Sequence, residues 1–210
     1  MISNKAKQVE AYLDKILPEV GCELIYHKDY ELLIAVVLSA QTTDKVVNQV
    51  TPVLFNRYQN LEELATAEIK DVEEIIKSIG LYKNKAKNIV LLSKELVEKY
   101  NGKVPSEKEI LVTLPGVGNK TAGVTRLELF NADELPVDTH VARIAYRLKF
   151  AAKDDEPSEI EKKLKKAFPR TSWGKLHHQF IHFGRYICTS KNPNCKNCEI
   201  MEFCREKHVK

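Results

Sequence analysis

The sequence predicts an all-α protein, and three observations carry that reading. Apolar residues recur at three- and four-residue spacing in nearly every segment. No stretch sustains the strict alternation of a half-buried strand beside hairpin turn chemistry. Asp29, Asp44, Ser106 and Asp138 stand where helices would be capped, and Gly80 and Gly102 stand where helices would end.

The elements follow in chain order. Residues 5–17 form an amphipathic, charged helix rather than a signal peptide. Residues 30–40 include Leu32 to Ala40, apolar on nearly all sides, so this helix should be central and packed on every face. The same run is too short to span a bilayer. Further helices are expected at 44–58, 69–78, 84–100, 107–113, 119–130, 138–149, 157–167 and 173–187. With 210 residues, 43% hydrophobic and 30% charged, the chain is ordinary for a soluble protein with a buried core. A net charge of +4 permits a polyanionic partner without demanding one. A cytoplasmic location is expected. The pattern suggests two interleaved helical lobes with a cleft between them.

Leu114-Pro115-Gly116-Val117-Gly118-Asn119-Lys120-Thr121-Ala122 concentrates the chemistry. Glycine leaves backbone amides bare, so Gly116 and Gly118 allow a phosphate to approach closely. The free amides of the following helix start add a second anion site. No strand precedes this turn, as a nucleotide-binding P-loop would require. Helix, tight turn, helix therefore reads as a sequence-independent grip on nucleic-acid backbone, with a plain packing turn as the alternative. Lys120 falls in the first helical turn, where the positive end of the helix dipole disfavours its charge and leaves more amine free to attack an electrophilic carbon. A surface phosphate contact is the plainer reading.

Asp138 could reach that lysine. A helix over 119–130 is about 18 Å long, and residues 131–137 span at most about 24 Å when extended. The return is just long enough to set Asp138 beside Lys120, although capping the next helix also accounts for it.

Cys188, Cys195, Cys198 and Cys204 are separated by six, two and five residues. Four thiols close together in a cytosolic chain point to a metal site. Zinc and an iron–sulfur cluster both remain open, and the single short pair tilts toward a cluster. Cys22 reads as core, as do Trp173 and Tyr186, and His140 as a packing histidine. Lys83, Lys85 and Lys87 read equally as backbone contacts or as an exposed helix face.

These motifs together resemble the endonuclease III family of DNA glycosylases in the helix-hairpin-helix superfamily. The resemblance rests on Leu114–Ala122, Val137-Asp138-Thr139-His140, the four cysteines, Leu38-Ser39-Ala40-Gln41-Thr42-Thr43-Asp44, Ile79-Gly80-Leu81-Tyr82-Lys83-Asn84-Lys85-Ala86 and His182-Phe183-Gly184-Arg185-Tyr186. It implies one helical domain over 22–132, with the helix-hairpin-helix motif at about 107–130. Residues 1–21 plus 133–210 would form a second, carrying a 4Fe-4S cluster on Cys188, Cys195, Cys198 and Cys204. It assigns catalysis to Lys120 and Asp138, and Gln41 and Leu81 to the gap left by an extruded base. The cluster would pin residues 189–194 so that Lys191 meets a phosphate.

The implied activity is bifunctional: removal of oxidised pyrimidines, then strand cleavage at the abasic site by β-elimination through a lysine Schiff base. The implied partner is double-stranded DNA bearing damaged pyrimidines or abasic sites, bound by a monomer at the nucleoid. Relatives that remove a base without cutting typically lack the lysine, and a purely DNA-binding protein would leave strands intact. Asn119 stands where the family often carries a basic residue. Arg126 and Glu128 interrupt a usually small, apolar helix, as a surface pair or as a disturbance of packing behind Lys120.

Overall fold

Helical periodicity in the sequence is realised as helices throughout: the computed structural model describes residues 2–206, and no strand occurs among them. The chain forms two compact units. One comprises the residues up to Cys22 together with those from Asn131 onward, and the other Glu23–Phe130.

The first unit opens with helix α1 (Asn4–Ile16), capped by Ser3, whose hydroxyl accepts from the amide of Ala6 at 3.2 Å. Its Ala6, Val9, Tyr12 and Leu13 are buried against the later helices of the same unit. The second unit is built around α2 (Asp29–Ser39), in which every residue from Glu31 to Leu38 is buried, as the apolar run from Leu32 onward requires. Both ends of α2 carry a charge of the sign that suits the helix dipole. At the start, Glu31 Oε2 accepts from the amides of His27 (2.8 Å) and Lys28 (3.3 Å). At the end, Lys85 reaches the last carbonyls.

Around α2 stand α3 (Asp44–Arg57), α4 (Leu61–Ala65), α5 (Ile69–Ile76), α6 (Tyr82–Tyr100), α7 (Lys108–Leu111) and α8 (Asn119–Phe130). The short α4, absent from the sequence expectations, is capped by Asn60, which accepts from Glu63, and buries Leu61 and Leu64. Three expected caps are displaced by one residue: Lys28 and Thr43 cap α2 and α3, so that Asp29 and Asp44 are first helical residues, and Glu107 rather than Ser106 precedes α7. Gly102 does close α6; with φ of 74° it donates to the carbonyl of Leu96 at 2.9 Å.

The first unit resumes with α9 (Thr139–Arg147), α10 (Pro157–Ala167) and α11 (Trp173–His182), then a π-helical turn, Phe183–Ile187. Edge-to-face pairs organise its core: Phe168 with Phe180 and Tyr12 with Phe183, each at 6.2 Å between ring centres. A fully buried phenylalanine or leucine contributes roughly 1.5–3 kcal/mol. Trp173 packs on this core as expected and donates to the carbonyl of Phe168 at 3.1 Å. Tyr186 does not. It is 63% exposed, because the π-helical turn shifts its side chain off the apolar stripe of α11.

Candidate active site

The glycine turn lies in the second unit. Leu114 and Val117 are buried, and the Val117 amide donates to the Leu114 carbonyl at 3.1 Å, closing the turn. Gly116 has φ of 79°, and a Cβ placed there would lie 3.1 Å from Asn88 on α6 and 3.2 Å from Val37 on α2. Gly118 differs: a Cβ there would meet nothing within 4 Å, and its φ is not in the left-handed region. The two glycines therefore answer to different demands. Gly116 satisfies packing, whereas the space beside Gly118 is open to an approaching phosphate.

Helix α8 follows at once. Thr121 to Thr125 are buried in succession, fixing the helix against α2 and α7. Lys120, its second residue, is exposed and makes no hydrogen bond or ion pair among the described residues. An amine at a helix start, with no carboxylate to hold it, is available to react or to bind phosphate. Further along α8, Arg126 Nε donates to the Ser106 carbonyl at 2.9 Å. That bond ties α8 to the segment before α7, so Arg126 contributes to packing rather than disturbing it.

Gln41 and Leu81 are both exposed and both left-handed, with φ of 57° and 59°. Such values are uncommon without glycine and cost roughly 1–2 kcal/mol per residue. The two loops are neighbours: a Cβ on Gly80 would sit 3.6 Å from the Gln41 carbonyl oxygen. Lys85, expected at the surface, is buried, and its Nζ donates to the carbonyls of Leu38 (2.9 Å) and Ala40 and to Thr42 Oγ1 (3.3 Å). Burial holds its pKa below the ordinary lysine value. Lys83 and Lys87 are exposed.

Asp138 belongs to the first unit. It is half-buried at the N-cap of α9, where Oδ1 accepts from the Val141 amide at 2.8 Å. Its second carboxylate oxygen makes no hydrogen bond among the described residues, so one group can cap a helix and still offer charge to a ligand. The approach to it is fixed by Leu135 and Val137, both buried, and by His177, whose Nδ1 donates to the Pro136 carbonyl at 2.8 Å. His140 packs against Gly184, where an added Cβ would meet it at 3.1 Å. Burial lowers the His140 pKa below its ordinary value, and Arg143 and Arg185 add to the shift while Asp138 opposes it.

Cys188, Cys195, Cys198 and Cys204 line one pocket of the first unit, beside Ile144 and Phe183. All four thiols are free of disulfides and partly buried. Burial pushes the Cys188 and Cys198 thiols above their usual range, and the other three cysteines raise Cys198 further. Among the described residues no three histidine, cysteine, aspartate or glutamate side chains are drawn together as ligands of a single ion. Lys191 is exposed on the intervening loop. Cys22 is half-buried, not fully so.

Arg147, 5% exposed, anchors the cysteine loop by donating to Cys188 Sγ (3.3 Å) and to the carbonyls of Cys188 (3.1 Å), Thr189 (2.7 Å) and Ser190 (3.2 Å). Arg143, one turn earlier, donates to the Gly184 carbonyl at 2.7 Å. Sequence reading missed both arginines and the anchoring role of Lys85. Their signal was a cation on the apolar face of an amphipathic helix, where an unpartnered charge would be costly.

The family model for HhH-GPD superfamily base excision DNA repair proteins matches residues 34–170, which span the glycine turn, Lys120 and Asp138. Endonuclease III of Bacillus subtilis is 45% identical over 203 residues, covering 95% of this chain and 93% of its own. The chain belongs to the endonuclease III family. It is a base-excision DNA glycosylase and abasic-site lyase. A solved non-covalent endonuclease III–DNA complex superposes on this chain with a TM-score of 0.92 and 43% identity, covering 99% of it and 97% of the solved chain. A trapped endonuclease III–DNA covalent intermediate matches with the same TM-score and identity, at 99% and 98%. No helix among the described residues is long and apolar enough to cross a membrane.

Proposed function

We propose that this member of the family acts as a monomer at the nucleoid on double-stranded DNA, removing oxidised or ring-saturated pyrimidines and cutting at the resulting abasic sites. The observation that carries the reading is Lys120, exposed and unpaired at a helix start behind an open glycine turn. A similar protein, an endonuclease III, has been captured as a covalent intermediate with DNA, which supports covalent chemistry of the kind assigned here to Lys120.

The damaged nucleotide leaves the stack, at a cost of a few kcal/mol that is least for a damaged base. Gln41 and Leu81 fill the gap, and the amides beside Gly116 and Gly118 hold phosphate. Lys120 Nζ bonds to the sugar C1′ as the base departs with the bonding pair and gains a proton. Asp138 stabilises the positive charge that develops on the sugar and helps activate the amine. Ring opening gives a protonated Schiff base. Loss of a proton from C2′ then expels the 3′ phosphate, and water releases the amine.

Cys188, Cys195, Cys198 and Cys204 fit a 4Fe-4S cluster, because four free thiols line one pocket and four cysteine thiolates are the donor set such a cluster takes. Bound there, a cluster would cross-link the loop and hold Lys191 toward backbone phosphate. The test is borohydride reduction of enzyme with lesion-bearing or abasic duplex. Wild type is expected to form a stable covalent adduct, and Lys120→Gln to bind without being trapped. Trapping of Lys120→Gln would refute the nucleophile.

A further inference from the structure

Two exposed non-glycine residues held left-handed on adjacent loops require something that keeps them so. Neither conformation is favoured by the free chain, and neither side chain is buried to compensate. One residue touches both loops. The Lys85 backbone amide donates to the carbonyl of Leu81 at 3.1 Å, closing the first turn of α6 behind that residue. Its side chain turns into the protein and donates to Leu38, Ala40 and Thr42, the residues that precede and follow Gln41. These acceptors are neutral oxygens, two of them carbonyls at the end of α2, where the helix dipole offers partial negative charge. The ammonium can bond all three, whereas an uncharged side chain of similar length leaves them unsatisfied.

We propose that Lys85 is a positioning residue for base extrusion: by binding the Gln41 loop through its side chain and the Leu81 loop through its backbone, it holds both gap-filling residues ready before DNA arrives. This rests on the reading above that Gln41 and Leu81 occupy the space of the extruded base. Lys85 contributes nothing to the bond-making steps at Lys120, so its effect is confined to substrates in which a stacked base has to be replaced.

The test compares two substrates under single-turnover conditions. One is a duplex carrying dihydrouracil opposite a normal base. The other is a single strand with a preformed abasic site, which needs no extrusion. For Lys85→Met, excision from the duplex is expected to fall about fivefold to thirtyfold, the population change that corresponds to one disfavoured left-handed residue. Cleavage and borohydride trapping of the abasic strand should stay at the wild-type level, and Lys85→Arg should restore much of the duplex rate. Should Lys85→Met not fold, Thr42→Val, which removes only the hydroxyl acceptor, is expected to show the same selective loss in smaller degree. Unchanged duplex excision overturns the proposal. So does an equal loss on both substrates, which would mark Lys85 as merely structural. Failure of the wild type to be trapped at all would strike the Lys120 reading instead, while the ratio of the two substrates still decides on Lys85.

Discussion

Asn88 lies against the α-carbon of Gly116, with both its Cβ and Nδ2 at 3.1 Å from where a Gly116 side chain would begin. The same position has φ of 79°, so an alanine there meets steric and conformational penalties together. Gly116→Ala is expected to destabilise the protein by roughly 1–3 kcal/mol. Gly118→Ala should leave stability within about 0.5 kcal/mol yet weaken binding to any duplex, since its methyl would occupy the side left open to phosphate. Denaturant titration and duplex affinity, measured on both variants, separate the two glycines.

Asp138 has two duties that substitution can divide. Asparagine caps a helix about as well as aspartate, whereas alanine costs about 1 kcal/mol. Asp138→Asn should therefore keep wild-type stability and Asp138→Ala lose about that amount, while both lose most single-turnover activity. If the asparagine variant retained full activity, the carboxylate charge would have no part in the chemistry.

Leu81 is 60% exposed, so little burial is lost when its side chain is removed. Glycine accepts its φ of 59° without strain. Leu81→Gly is expected to be neutral or to raise stability by up to about 1 kcal/mol, with a clear drop in excision from duplex DNA. Residues of ordinary surface character do not show that opposition of signs.

His140 sets a dependence on acidity. Its pKa is lowered by burial, so between that value and the ordinary 6.5 the unfolded chain binds more protons than the folded one. Its contribution to stability is complete above about pH 6.5 and declines as pH falls through the lowered folded value. His140→Gln should flatten the stability profile in that acidic range, as thermal unfolding at several pH values would show. An unaltered profile would mean the imidazole stays protonated on folding.

Cys198→Ser removes one thiol from the shared pocket. The purified variant should lose the brown absorbance expected of wild type and unfold at lower denaturant concentration. A colourless wild type carrying zinc would overturn the cluster assignment.

Sequence alone made the helical architecture legible because α5, α9 and α10 announce themselves by period and α2 by its apolar run, and it offered a candidate site because Lys120, Asp138 and the cysteines belong to long, ordered motifs. Exposure of Lys120 and the capping bond of Asp138 are local consequences of helix starts, and so were within reach. What escaped depends on contacts distant along the chain. Lys85 reads as one of three alternating lysines until α2 is seen packed beside α6, 47 residues apart from Leu38 in sequence. Arg147 gives no hint of bonding Thr189 and Ser190 until the chain returns past α9. Tyr186 was misplaced because a π-helical turn breaks the 3.6-residue register on which burial was reckoned.

Leu81 caps α6, and Lys85 and Asn88 fall within its first two turns, so the spacer between the Gln41 and Leu81 loops and the glycine turn is a rigid rod. A rod of that kind works as a jig. Its dimensions are set once, when the polypeptide folds, and no later encounter has to organise them. On the proposed reading a duplex must then conform to the protein rather than the reverse, and helices stiff enough to resist that demand would keep their bases stacked.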